Sequence, residues 1–198
     1  YFAKQRIKKL HLHLKKAGKG NIESLLDFGC GTGNFYQFAI ENFNDLRYLG
    51  VDTSIESIKV AQSKNTRSLF KTIDEYEPDN SFKCAYCNGV FHHIDPLERI
   101  HALKYIHNSL KNDGIFSFWE NNPFNIGTRY IMNKNPFDKN AKLVSYLNAV
   151  KLIKSVGFNI KSIDFYFYFP SQLNKLRVLE FLLRKVPLGA QYQILASK

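Results

Sequence analysis

No apolar run in this sequence comes close to the roughly 20 residues that a membrane-spanning helix needs, so a helix crossing the bilayer is excluded. The opening stretch FAKQRIKKLHLHLKK also lacks the uninterrupted apolar core of a secretory signal, and a cytoplasmic protein is expected. Cysteine is scarce and odd in number, with only Cys30, Cys84 and Cys87. That argues against a disulfide framework and for a reducing compartment. Acids are under-represented, 17 against 28 Lys and Arg, for a formal charge of +11. There is no repeat, low-complexity tract or linker, so residues 1–198 are expected to form one domain. The first residue is Tyr1 rather than Met, from which a trimmed chain lacking an N-terminal element is expected.

What is present suits a packed core, since 44% of the residues are hydrophobic and 15% aromatic. The charge is uneven. Residues 1–21 carry seven Lys and Arg and no acid, residues 22–110 carry eight bases against twelve acids, and residues 111–198 carry thirteen against five. Basic flanks of this kind attract an anionic substrate, a membrane surface or nucleic acid. A solvated lysine-rich surface is the plainer alternative. Cys84 and Cys87 make a CxxC with His92 and His93 close behind, which raises zinc. Strand alternation would point the two thiols to opposite faces, so they are read as buried packing residues and no metal is expected.

Residues 2–17 place Ile7, Leu10, Leu14 and Ala17 at helical spacing between lysines, predicting an amphipathic helix broken by GKGN. Strand and helix then alternate: ESLLDFG, NFYQFAIENF, LRYLGVD, SIESIKVAQSKN with a Ser or Thr cap, RSLFKTI and FKCAYCNGV. PLERIHALKYIHNSL follows as a helix with Pro96 at its start, and GIFSFWE as a strand introduced by NDG. Strands that are apolar throughout, alternating with helices, indicate a parallel sheet covered on both faces. From Asn121 the rhythm changes. NNPFNIGTRYIMNKNPFDKN reads as a loop of about twenty residues, long enough to be functional. AKLVSYLNAVKLIKSV is predicted as a helix ending at Gly157, an alternating strand covers Ile163 to Phe169, a helix covers 171–185, and GAQYQILAS closes as a strand.

LLDFGCGTGNF carries glycines at 29, 31 and 33 at the end of the first predicted strand. In open α/β sheets ligands bind outside the carboxyl ends of the strands, and glycines there let backbone approach a ligand closely. Asp52 closes the second strand, where its carboxylate can accept from a ribose diol. The spacing is GxGxG, followed by Asn34, and lacks the third glycine of the dinucleotide-binding GxGxxG. DFGCGTG resembles instead the acidic-x-GxGxG signature of class I S-adenosylmethionine-dependent methyltransferases. LGVDTS is similar to that family's second-strand acidic segment, NGVFHHI to its fourth-strand end, LKNDGIFSFWE to its fifth strand, and LGAQYQILASK to its closing strand. Asn112-Asp113-Gly114 departs from the Pro-Gly-Gly common in the family.

The resemblance covers residues 22–198. It implies an α/β, doubly wound, mostly parallel seven-stranded sheet with a C-terminal antiparallel hairpin. A basic helix (1–21) would precede a cofactor-binding core (22–120) and a substrate loop, helices and closing hairpin (121–198). It further implies S-adenosyl-L-methionine as cofactor and S-adenosyl-L-homocysteine as product. Asp27, Gly29, Cys30, Gly31, Gly33, Asp52, Thr53, Asp74 and Asn88 would bind the cofactor. Asp27 would meet its ammonium, Asp52 its ribose and Asp74 its adenine amino group, although Asp74 also reads as a turn acid.

The enzyme's task would be to align an acceptor with the sulfonium methyl and remove a proton where required. His92, His93 and Glu120 are the candidate catalytic residues, with helix capping and turn shaping as the plainer roles. NNPF resembles the Asn/Asp-Pro-Pro-aromatic motif of nucleic-acid amine methyltransferases, but it follows the fifth strand and has one proline. The acceptor pocket is expected from Phe124 to Asn140, the aromatic strand and helix 171–185, with Arg129, Lys134, Lys139, Arg177, Arg184 and Lys185. A small-molecule acceptor is expected, anionic or lipid-linked, with peripheral membrane contact; alternatives are an RNA methyltransferase and a non-catalytic S-adenosylmethionine-binding subunit or sensor.

Overall fold

The computed structural model describes residues 1–16, 20–65 and 69–198. Ala17 of the predicted first helix, Gly18 and Lys19 of its break, and Arg67 and Ser68 of the predicted third strand lie outside the described residues. Helix α1 (Phe2–Lys16) buries Ile7, Leu10 and Leu14, the stripe its spacing predicts. The alternation that follows comprises β1 (Ser24–Phe28), α2 (Tyr36–Asn42), β2 (Arg47–Asp52), α3 (Ile55–Lys64), β3 (Leu69–Thr72) and β4 (Phe82–Asn88). Then come α4 (Arg99–Ser109), β5 (Leu110–Asn121), α5 (Ile126–Lys134), α6 (Tyr146–Ser155), β6 (Asn159–Tyr166), α7 (Glu180–Leu183) and β7 (Gln191–Ser197). Ser54 caps α3 by accepting from the Ser57 amide at 3.2 Å, as its position before an apolar run predicts.

The sheet order is β3-β2-β1-β4-β5-β7-β6. β1 pairs in parallel with β2 and with β4, β2 in parallel with β3, and β6 antiparallel with β7. The expected seven strands and closing hairpin are therefore present. Strand order reverses between β1 and β4, which is the ligand-binding crevice of an open α/β sheet.

The described residues fall into two compact units, Tyr1–Cys87 with Asn108–Ile115, and Asn88–His107 with Phe116–Lys198. The first buries Leu25, Leu26, Val51, Phe70, Cys84 and Cys87, and ties α1 to β4 where Arg6 Nε donates to the Tyr86 hydroxyl at 3.0 Å. Its aromatics pack face to face and edge to face: Phe35 stacks on Tyr86 at 3.9 Å, and Tyr36, Tyr48 and Phe70 meet at 5.1–6.1 Å. The second unit has an aromatic core of Phe91, Phe116, Phe118, Trp119, Phe158, Phe165 and Tyr192.

Four predicted elements need correction. β5 begins at Leu110, so Asn112-Asp113-Gly114 lies inside the strand rather than before it; Lys83 Nζ holds Asp113 at 2.9 Å on the exposed edge. The loop predicted from Asn121 contains α5, because Asn125 caps it by accepting from the Thr128 amide at 2.8 Å. The helix predicted over 171–185 is a 3₁₀ stretch at Ser171–Leu179, kinked at Leu173, followed by the single turn of α7. β6 also stops at Tyr166, short of Phe169, because Phe167 adopts φ 65°.

Candidate active site

In the first unit, β1 ends in a turn where Gly29, Gly31 and Gly33 all take positive φ, at 74°, 52° and 74°. The Gly29 and Cys30 amides donate to the Val51 carbonyl at 2.8 and 3.0 Å, which anchors the turn on β2. The glycines serve different ends. A β-carbon on Gly31 would meet no atom within 4 Å, so its backbone faces open space. On Gly33 it would stand 3.0 Å from Ala61, Asn65 and Phe70, so that glycine serves the packing of α3 and β3 on the turn.

Asp52 binds the same turn. Its Oδ2 accepts from the Gly31 amide at 2.8 Å and its Oδ1 from the Ser54 amide at 2.9 Å. Each oxygen keeps a lone pair for another donor, so Asp52 can order the glycine turn and still accept from a diol. Asp27 is buried and accepts from the Tyr48 hydroxyl. Burial pushes its pKa up to about 7; the Tyr48 hydrogen bond opposes that rise and the Asp52 charge adds to it. Cys30 is buried too, and burial followed by the charges of Asp27 and Asp52 drives its thiol pKa upward, so it stays a neutral packing group. Thr53 is exposed beside Asp52. Asp74 is exposed in the 3₁₀ turn Ile73–Glu75, which is closed by a capping box between Thr72 and Glu75.

In the second unit, Asn88 ends β4 with a buried Oδ1 that has no hydrogen-bond partner. A buried carbonyl oxygen left unpaired costs about 1–3 kcal/mol and needs a donor. The next residues turn sharply at Gly89, φ 66°, whose amide donates to the Trp119 carbonyl at 3.0 Å. This turn delivers His92 and His93. His92 is buried, with Nδ1 2.7 Å from Glu120 Oε2. Glu120 is fully enclosed, and its Oε1 accepts from the Phe91 amide at 2.7 Å. It therefore orients the histidine turn rather than facing solvent. The 3₁₀ turn Pro136–Asp138 brings Asp138 Oδ1 to 3.5 Å from Nε2 of both His92 and His93. Burial lowers the His92 pKa, but Glu120 and Asp138 outweigh it and the net shift is upward. His93 is shifted down, by burial and then by the neighbouring His92.

Asp138 was missed as a site residue by sequence reasoning. The available signal was Asn135-Pro136, a turn opener that fixes it: Asn135 Nδ2 donates to Asp138 Oδ2 at 2.6 Å. Asn122 and Asn125 tie this segment to a later turn of the chain. Asn122 Nδ2 donates to the Pro187 and Gly189 carbonyls at 3.0 and 2.8 Å, and Asn125 Nδ2 to the Leu188 carbonyl at 2.7 Å. The expected acceptor cations are partly committed: Lys185 and Arg184 reach the buried Asp164 at 2.7 and 3.5 Å, and Lys134 lies over the Tyr130 ring at 4.4 Å.

A reversal point between β1 and β4, an open glycine turn and an acid closing β2 are the features that the sequence resemblance leads one to expect. Comparison with known proteins agrees. Residues 26–116 match the family model described as a methyltransferase domain. An S-adenosylmethionine-dependent methyltransferase from Archaeoglobus fulgidus superposes with a TM-score of 0.70 over 96% of this chain and 94% of that one, at 19% identity. A carboxy-S-adenosyl-L-methionine synthase from Nautilia profundicola is 32% identical over 112 residues, 54% of this chain and 48% of that protein. An uncharacterised protein from Methanocaldococcus jannaschii is 36% identical over 143 residues, 71% of this chain and 51% of that protein. The chain thus spans about half the length of these two curated relatives. Residues 26–116 thus resemble a methyltransferase domain, and the fold is one shared with S-adenosylmethionine-dependent methyltransferases, whose cofactor is S-adenosyl-L-methionine. Gly31 fits such a group, since its backbone leaves room beside the turn.

Proposed function

We propose that this protein is an S-adenosylmethionine-dependent methyltransferase acting on an amphiphilic, lipid-linked acceptor that carries negative charge and is taken from a membrane surface. The observation that carries the acceptor class is the distribution of exposed apolar side chains in the second unit. Ile126 is 82% exposed, Phe137 87%, Val178 72% and Phe181 67%, with Ile131, Leu182 and Leu188 exposed beside them in sequence. The backbone that carries them is tied down. Asn122 and Asn125 tie α5 to residues 187–189, and Glu180 Oε1 accepts from the Tyr168 and Phe169 amides at 2.9 and 3.3 Å. Polar contacts thus pin the backbone while leucines and phenylalanines stay outside.

Burying one such side chain is worth about 1.5–3 kcal/mol, so four at half that value supply on the order of 3–6 kcal/mol. Each Lys or Arg near an anionic bilayer adds about 1 kcal/mol, and Lys134, Lys139, Lys175 and Arg177 lie in the same segments. Among the described residues no helix is long and apolar enough to cross a membrane, which fits attachment at the surface.

The cofactor supplies an electrophilic methyl group, and the chain's residues hold and orient. Asp52 would accept from the ribose, Gly31 would leave room for it and Asp27 would face the ammonium; Asn88, in the second unit, offers a buried acceptor oxygen. Thr53 and Asp74 stand at the exposed rim. His92 and His93 meet the acceptor, and Glu120 is a positioning residue that acts through His92. Incubation with labelled cofactor and, separately, an anionic lipid extract, RNA or soluble metabolites tests this reading. Label in the lipid fraction supports it. Label only in RNA, or cofactor binding without transfer to any acceptor, contradicts it and favours the RNA enzyme or the sensor.

A further inference from the structure

We propose that His92, His93 and Asp138 form a binding site for a divalent transition-metal ion of the zinc or cobalt type. One ligand atom from each of the three lies within 4.8 Å of the other two. Two imidazoles and a carboxylate suit such ions better than calcium or magnesium. The spacing is specific. Asp138 Oδ1 is 3.5 Å from Nε2 of both histidines, longer than an ordinary N–H···O hydrogen bond of about 2.7–3.2 Å. Ligands held at about 2.1 Å from one tetrahedral ion lie about 3.4 Å from each other. The carboxylate oxygen therefore stands at ligand spacing from both nitrogens.

The surroundings are those of a built site. Metal-binding histidines commonly donate their other ring nitrogen to a carboxylate, and His92 Nδ1 faces Glu120 at 2.7 Å. Asn135 holds Asp138 Oδ2 at 2.6 Å, leaving Oδ1 for the histidines. The backbone is fixed as well: the His93 amide donates to the Val90 carbonyl at 2.9 Å and the Lys142 amide to the His92 carbonyl at 2.7 Å. His93 has 45% of its side chain exposed, so an ion can enter. Three protein ligands leave at least one position for water or an acceptor oxygen. Neither cysteine of the CxxC takes part, since Cys84 and Cys87 are fully buried in β4. This site stands whether or not the chain transfers methyl groups.

Protein freed of metal with a chelator is titrated with zinc chloride by calorimetry and with cobalt chloride by visible absorption. The expected result is one equivalent bound, a cobalt ligand-field band, and a higher melting temperature with zinc. His93→Ala, at a half-exposed side chain, and Asp138→Asn, which keeps the size of that largely buried side chain, each weaken zinc at least tenfold, about 1.4 kcal/mol, and remove the thermal shift while their metal-free melting stays close to wild type. Cys84→Ala leaves the cobalt band in place. No stoichiometric binding, or binding that survives both ligand substitutions, overturns the proposal. If either variant melts early without metal, the cobalt spectrum of the other decides: an unaltered band overturns the site and a lost band upholds it.

Discussion

Asp27 is a carboxyl that burial keeps protonated up to about pH 7 in the folded chain. The ordinary value is 3.8, so between about pH 4 and 7 the folded state holds a proton that the unfolded chain has released. The stabilising contribution is full below pH 4 and is lost as pH rises through 7, by on the order of 4 kcal/mol over that window. Urea unfolding of wild type and Asp27→Asn from pH 4 to 8 checks this: the wild-type midpoint falls relative to the variant, and parallel curves contradict it. The two glycines separate packing from binding. Gly33→Ala strains a positive φ and presses on Ala61, Asn65 and Phe70, so a loss of about 2–3 kcal/mol is expected in the same unfolding measurement. Gly31→Ala carries only the backbone strain, about 1 kcal/mol, and its larger effect is expected on cofactor affinity, read by calorimetry.

At the scale of elements, α5 shows why a turn-rich sequence can hide a helix. Pro123, Asn125 and Gly127 read as loop, yet Asn125 caps and residues 126–134 coil, and the helix leaves Ile126, Tyr130 and Ile131 outside instead of burying an apolar stripe. Its buried face is only Thr128 and Met132, too polar and too short for the 3.6-residue period to carry a signal. Asn125→Ala is expected to cost about 1 kcal/mol, more if releasing the Leu188 carbonyl loosens the 187–190 turn; thermal melting reads it. The segment 171–188 misleads in the opposite sense. Leu173, Leu176, Leu179 and Leu183 have helical spacing, but the chain is 3₁₀ over Ser171–Leu179, Tyr168 anchors Glu180 and Leu183 beyond it, and Leu173, Leu176 and Leu179 face water. Val178→Asp with Phe181→Asp is expected to abolish co-sedimentation with vesicles of phosphatidylcholine and phosphatidylglycerol while leaving the melting temperature unchanged. Undiminished binding removes this surface from the membrane.

At the scale of the molecule, the sheet was legible because each strand–helix repeat carries its own periodicity and the glycine turn fixes where strand order reverses. The positions of Asp27, the glycines, Asp52, His92 and Glu120 at or beside strand ends were legible in the sequence, and strand ends are where α/β sheets keep their chemistry. Asp138 was not, because it reaches the histidines through a fold of the chain 45 positions downstream that no local pattern encodes. The central claim is that the turn after β1 and the acid ending β2 hold an adenosyl cofactor. Calorimetric titration of wild type and Asp52→Ala with S-adenosylmethionine and, separately, NADH tests it most directly. S-adenosylmethionine alone is expected to bind, at least tenfold more weakly in the variant, about 1.4 kcal/mol; equal affinity in both proteins, or binding of NADH instead, contradicts the account.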